Sequence, residues 1–201
     1  MDSLVVFFML MAGVGNSQLA NLDNNNWADV DRSSPIRSYN VRAGLEIPLS
    51  TTISLRPEFS YSNGGGLLVE DISQSYVRHE TYSLQELRVP LLLQVGTSSR
   101  NATRAFMAIG GYAGFTFDAR MREQLVATST GVVIQETPWS AVDGLIPVNA
   151  GAVLEVGIRT RVIGLNVGAD VRLSHGLTSI GSGSTYVVQR DLTFSLGIGI
   201  P

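Results

Sequence analysis

The sequence predicts an all-β protein: a closed up-and-down antiparallel transmembrane β-barrel of eight strands, with long extracellular loops and short periplasmic turns. Residues 1–201 form one domain. Three observations carry this. Apolar/polar alternation recurs in six segments, a seventh reads as a glycine-rich strand, and the N-terminal run is compatible with an eighth. The links between segments alternate long and short. The apolar faces carry no charge, and the opposite faces carry five arginines and five acids.

Successive strand side chains point to opposite sides of a sheet, so alternation reads directly as two faces. The first candidate strand is Leu4–Asn16. A short apolar run at the start of a chain is also the pattern of a signal peptide. Residues 1–17 therefore stand as the first strand or as a signal-peptide remnant. Asp2 where a positive residue is expected, the absence of arginine before Arg32, and the run Gly13-Val14-Gly15-Asn16-Ser17 favour the strand.

Tyr39–Leu49 sets Tyr39, Val41, Leu45 and Ile47 against Asn40, Arg42 and Glu46. Ile53–Tyr61 sets Leu55, Phe59 and Tyr61 against Arg56 and Glu58. Leu87–Val95 sets Leu91 and Leu93 against Arg88 and Gln94, with Glu86 just before it in phase. Ala105–Phe117 is glycine-rich and apolar on both faces in places. Val148–Arg159 sets Leu154 and Val156 against Glu155 and Arg159. Arg161–Ser174 sets Ile163, Leu165 and Val167 against Asp170 and Arg172. Leu192–Ile200 sets Phe194, Leu196 and Ile198 against Thr193, Ser195 and glycines.

The long links are Gln18–Ile36, Ser62–Tyr82, Asp118–Pro147 and His175–Arg190; the short ones are Ser50–Thr52, Gly96–Thr103 and a turn near Thr160. This alternation holds only if the N-terminal run is a strand.

Composition agrees. Charged residues are 15% of the 201, against about 25% in ordinary soluble domains. The longest apolar run, Leu4–Gly15, is short of the roughly 20 residues a spanning helix needs. A chain without such a helix can cross a bilayer only as a closed barrel, where every backbone group is paired. Cysteine is absent, which removes disulfides and thiolate metal sites. A net charge of −3 gives no basic footprint for nucleic acid.

The polar faces supply a candidate lumen network: Arg42, Arg56, Arg88, Arg159 and Arg172 with Glu46, Glu58, Glu86, Glu155 and Asp170. In an eight-stranded barrel the interior is just wide enough for side chains to fill. The expectation is a salt-bridged plug, since an unpaired charge away from water is very costly. The lipid-facing set is Leu45, Ile47, Leu91, Leu93, Leu154, Val156, Leu165, Val167, Phe194, Leu196 and Ile198. Tyr39, Tyr61 and Phe117 stand near strand ends, where interface aromatics belong.

The run Gly44-Leu45-Glu46-Ile47-Pro48-Leu49, then Leu55-Arg56-Pro57-Glu58-Phe59-Ser60-Tyr61-Ser62, then Glu86-Leu87-Arg88-Val89-Pro90-Leu91-Leu92-Leu93, resembles the PorT-like outer-membrane β-barrel family of Bacteroidetes. Gly110-Gly111-Tyr112-Ala113-Gly114-Phe115 and His175-Gly176-Leu177-Thr178-Ser179-Ile180 are similar to later motifs of that family, and the match runs over Arg37–Ile200. The resemblance implies a bacterial outer-membrane location, with outer-membrane lipids and the barrel-assembly machinery as partners, and a protein partner at the extracellular loops. It implies no particular reaction; some relatives serve protein secretion or gliding-related transport. The chain ends Ile198-Gly199-Ile200-Pro201, without the terminal aromatic that assembly machinery often reads, so either atypical recognition or an altered end is expected.

No catalytic, cofactor or metal site is expected, and the protein is expected to be a monomer. The only histidines are His79 and His175. Ser174 and His175 are neighbours on a strand, so their side chains diverge. The acid pairs that a glycosidase would use are read as structural ion pairs. Gly64-Gly65-Gly66 and Gly181-Ser182-Gly183 lack the strand–helix setting and the lysine of a phosphate loop, and read as flexible loops. Two other classes stay open: a soluble lipocalin-like barrel binding an apolar ligand, which needs the apolar faces inside, and a membrane-embedded lipid hydrolase. A passive pore is a lesser option.

Overall fold

The computed structural model describes residues 6–21, 33–97, 103–142, 146–180 and 187–200. Their strands are β1 (Phe7–Asn21), β2 (Ser33–Ser34), β3 (Ile36–Pro48), β4 (Ile53–Ser73), β5 (Tyr76–Gly96), β6 (Thr103–Ala127), β7 (Val133–Glu136), β8 (Ser140–Ala141), β9 (Val148–Val162), β10 (Leu165–Gly176) and β11 (Val187–Ile200). Strands β1, β3, β4, β5, β6, β9, β10 and β11 each pair antiparallel with the next, and β1 pairs with β11 to close an eight-stranded ring.

The N-terminal run is the closing strand. β1 registers with β11 from Phe8↔Ile200 to Asn21↔Val187, and with β3 from Phe7↔Glu46 to Ser17↔Ile36. Leu4 lies outside the described residues.

The expected strands are present, but three are much longer than their alternation. Ser62–Tyr82, read as a link, is mostly the far half of the β4–β5 hairpin, which stays paired to Ser73↔Tyr76. β6 runs on to Ala127 through the expected Asp118–Pro147 link, and β7 and β8 pair back onto it. β1 and β11 likewise reach into the links at Gln18–Ile36 and His175–Arg190. Beyond the apolar band neither face is selected for hydrophobicity, so alternation ends while the backbone ladder continues.

Arg161–Ser174 is corrected in the other direction. Val162 pairs with Leu165 across a two-residue turn at Ile163-Gly164, with φ of 50° and 82°. Two positive φ values are the hairpin geometry that matches strand twist. The apolar Ile163 extended the alternation through the turn and hid it.

Gly64-Gly65-Gly66 lies in β4, not in a flexible loop. Gly65 has φ 142° and its N–H donates to Ser17 Oγ at 2.9 Å; a Cβ on Gly66 would fall against the Leu19 backbone. The glycines let β4 approach β1. Gly181–Gly183 lies outside the described residues.

Inside and outside are reversed relative to a water-soluble barrel. The inward faces bury Arg42, Arg56, Glu58 and Glu155, while Leu91, Leu154 and Leu196 stand exposed outward. The outward apolar rows run over Leu87–Val95, Leu165–Leu173 and Leu192–Ile200. Each is nine residues long. A tilted membrane strand needs about 9–11.

Candidate functional site: the charged lumen

Strand parity carries the charged side chains inward, and packing sorts them into three groups along the axis. The central group is built on Glu155 of β9. Its carboxylate accepts from Arg42 Nη1 at 2.8 Å, Arg56 Nη2 at 2.5 Å and Arg172 Nε at 2.7 Å. Arg172 also donates to Glu58 Oε2 at 2.6 Å, and Arg56 Nε stands 2.7 Å from Glu58 Oε1. Arg42 Nη2 donates to Asp170 Oδ1 at 2.7 Å. One carboxylate therefore holds guanidinium groups from β3, β4 and β10.

Nearer the short turns, Glu46 accepts from Arg104 at 2.7 Å, Gln94 at 2.9 Å and Ser54 at 3.0 Å, and also from Arg159. Arg159 and Arg56 also lie over the Phe106 ring, at 4.5 and 5.5 Å from its centroid. Nearer the long loops, Arg88 donates to Asp191 at 2.7 Å and to Glu86, and sits 4.8 Å over the Tyr112 ring. Asn149 donates to Glu86 at 2.6 Å.

All ten predicted lumen residues are brought together. Two members were missed. Asp191 keeps phase with Thr193 and Ser195 but lies before the expected start of β11, and Arg104 keeps phase with Phe106 but lies one residue before the expected start of β6. With them the lumen carries six arginines and six acids among the described residues. That balance decides whether the arrangement is tolerable, because a buried ion without its partner costs several kcal/mol.

Apolar side chains form two further clusters. Leu92, Ala108, Tyr112 and Val153 form a buried cluster within the barrel wall's inner face. At the long-loop end Leu19, Leu84 and Ile180 pack together, with Leu68, Tyr82, Ala119 and Val187 against them. A cavity of about 30 Å³ remains beside Ser38, Asn40, Arg88, Arg172, Asp191 and Thr193. It has room for one or two waters.

The predicted outward set points outward throughout. Leu45, Leu91, Leu93, Leu154, Val156, Leu165, Val167, Phe194, Leu196 and Ile198 are between 41 and 59% exposed, and Ile47 is half-buried. Tyr39, Tyr61 and Phe117 form an outward aromatic row with centroids 6.1 Å apart. Phe117 keeps phase with Ile109 and Phe115 on the outer face of β6, and the β5–β6 register shifts by one residue at its position, between Glu86↔Thr116 and Gln85↔Asp118. This orientation is opposite to what a soluble barrel with an apolar ligand cavity requires.

Each of the six lumen carboxylates is ion-paired to at least one guanidinium group, and Asp170 keeps one oxygen, Oδ2, without a hydrogen-bond partner. Ser174 is buried inward, while His175 lies on the outer face, where its Nδ1 accepts from Arg190 Nε at 3.2 Å. His79 sits in the outer part of the β4–β5–β6 sheet, paired with Val69 and Gln124. Among the described residues no group of three His, Asp or Glu side chains is arranged to hold a metal.

A closed eight-stranded ring with an apolar exterior, a charged interior, short turns at one end and long loops at the other defines an integral outer-membrane barrel. The chain belongs to the outer membrane protein beta-barrel domain family, whose model matches residues 8–182. It is a protein of the bacterial outer membrane, with its short turns periplasmic and its long loops extracellular. No match was found among curated proteins. Among solved structures it is similar to Neisserial surface protein A, at 8% identity over 95% of this chain and 96% of that one, with a TM-score of 0.48. It is also similar to Ail, the attachment invasion locus protein of Yersinia pestis, at 8% identity over 97% and 99% of the two chains, with a TM-score of 0.41.

Proposed function

We propose that the lumen of this barrel is a side-chain plug and that the protein acts at its extracellular loops, in a structural or interaction role, without catalysis or conduction. The observation that carries this reading is Glu155, which ties together guanidinium groups from three separate strands across the barrel axis. Such a tie leaves no continuous water path at that level. The apolar packing of Leu19, Leu84 and Ile180 supports the same reading from the loop end.

In this reading Leu45, Leu91, Leu154, Leu196 and their outward neighbours contact acyl chains, and the barrel works as a monomer delivered by the assembly machinery. The extended β4–β5–β6 sheet, with β7 and β8 on its edge, is the surface offered to a protein partner. The order of the motifs over Arg37–Ile200 supports membership of the PorT-like group within the family.

Planar-bilayer recording of the folded, heat-modifiable protein tests the plug. The expected trace is flat, without unitary steps. Reproducible steps from the wild-type protein would overturn the reading in favour of a pore.

A further inference from the structure

We propose that the outer wall of β10, β11, β1 and β3, at the extracellular edge of the apolar band, binds the phosphate of a membrane lipid through Arg37 and Arg190. The proposal rests on the lipid-facing reading of the outward rows and is independent of the plug.

The outward rows change character abruptly at this edge. Going toward the loops, the last apolar residues are Leu173 on β10, Leu192 on β11, Val14 on β1 and Tyr39 on β3. The next outward residue on each of these four strands is His175, Arg190, Asn16 and Arg37. On β4 and β5 the corresponding positions are Asn63 and Gln85, which are neutral. On β6 the corresponding position is Asp118, and Arg120, one outward position further, is paired to it; at this depth the outward arginines without a carboxylate partner among the described residues lie on β3 and β11.

Register places the two arginines within reach of one anion. Arg190 pairs with Gln18 of β1, and Arg37 pairs with Asn16 of the same strand. They are separated by two strand spacings and two residues along β1, about 12 Å between Cα atoms. Two extended arginine side chains close that gap with a phosphate between them, above Asn16.

Arg190 leans toward β10, on the side of β11 away from Arg37. Its Nε donates to His175 Nδ1 at 3.2 Å, across the β10–β11 pair His175↔Arg190. That bond uses the inner edge of the guanidinium and leaves both terminal nitrogens for a bidentate contact. Guanidinium matches phosphate in this two-pronged way. Engaging a phosphate shared with Arg37 swings Arg190 across β11 toward β1 and frees His175, which does not itself touch the anion. Arg37 is exposed and has no carboxylate partner among the described residues, whereas each lumen arginine is ion-paired. A cation at the edge of hydrocarbon needs a counter-ion, and a lipid phosphate lies at the same level. Among the described residues the strands are also shorter on this side: β10 ends at Gly176, while β4 and β6 continue to Ser73 and Ala127 on the other.

The test uses the full chain in maltoside micelles, with folding checked by heat-modifiable migration. Phosphatidic acid is titrated in, with diacylglycerol of the same chains and inorganic phosphate as separate arms. The readouts are the thermal midpoint and the imidazole NMR signals of His175, with His79 as internal reference. Phosphatidic acid at a few mole per cent is expected to raise the midpoint and shift His175 but not His79. R37Q/R190Q is expected to weaken that response at least about tenfold, and R37K/R190K to keep part of it. An equal response from R37Q/R190Q, or from diacylglycerol, overturns the site. An equal response to inorganic phosphate overturns the lipid assignment in favour of a soluble anion. A barrel that stays in solution without detergent would instead sink the lipid-facing reading beneath it.

Discussion

Arg172 and Glu155 stand directly opposite each other in the β9–β10 ladder, and the same two side chains close a 2.7 Å hydrogen bond inside the barrel. Cross-strand register and ion pairing are therefore one constraint. A slip of one residue would send Arg172 to the outer face and break the pair along with the strand's hydrophobic match.

Replacing Glu155 tests how much of the stability this centre carries. Glu155→Gln removes the anion shared by Arg42, Arg56 and Arg172 and leaves Glu58 and Asp170 to balance all three. Breaking a buried pair on one side costs about 3–5 kcal/mol. Glu70→Gln, which breaks an exposed pair with Arg78, is expected to cost less than about 1 kcal/mol. Denaturant unfolding of both variants in micelles measures the contrast. Equal, small losses would show that the central group is not the keystone of the interior.

The outward rows make a depth-dependent prediction. Leu196 lies at the middle of the nine-residue row Leu192–Ile200, is 59% exposed, and pairs with Ala169 and Ala12. Leu165 is the first residue of β10, beside the periplasmic turn. Leu196→Arg is expected to cost about 2–4 kcal/mol in vesicles, and Leu165→Arg about 0–1 kcal/mol, because the second cation reaches the interface. The comparison is made by reversible unfolding in vesicles of one composition. If both cost the same, the bilayer does not sit on these rows as described.

Most of the barrel and its charged interior were legible because a bilayer imposes period two on every strand it touches. Arg42, Glu46 and Glu58 alternate with Val41, Leu45 and Phe59, and only one arrangement of those faces suits lipid. The limits have the same origin. Past Ser62 on β4 and Asp118 on β6 both faces leave the hydrocarbon, so β-structure continues without its sequence signature. Asp191 and Arg104 were missed because each lies at a strand end, where an arginine or aspartate reads equally well as a loop residue. The rim arginines Arg37 and Arg190 had no signal of their own: only register reveals that they flank the same stretch of β1.

The β9–β10 turn holds a residue type poorly suited to its conformation. Ile163 has φ 50° and is 98% exposed, so no packing compensates for a β-branched side chain in the left-handed region. That conformation costs an L-residue roughly 1–2 kcal/mol, and Asn-Gly is the favoured pair for such hairpins. Ile163→Asn, which creates Asn followed by the existing Gly164, is expected to stabilise the barrel by about 1 kcal/mol. A raised unfolding midpoint with unchanged folding in micelles is the expected result; an unchanged or lower midpoint would mean that the turn is relaxed with isoleucine in place.

Tyr82 gives a pH-dependent test of the extracellular cap. Its ring packs against Leu19, Leu84 and Ile180, and its hydroxyl donates to Glu80 Oε2 at 2.9 Å. Burial, then the Glu80 charge and the hydrogen bond to it, push the phenol well above its ordinary range. A folded-state value above the unfolded one, near 10, means that Tyr82 contributes its stability fully below about pH 10. That contribution is lost as pH rises through the folded value. Alkaline titration of wild-type protein and Tyr82→Phe, followed by phenolate absorbance, isolates this residue as the difference curve. The difference is expected to stay flat through about pH 11 while the chain is folded, and to show an ordinary step near pH 10 once it is unfolded. A step near pH 10 in the folded state would place Tyr82 in water and remove the apolar cap from the account of the lumen.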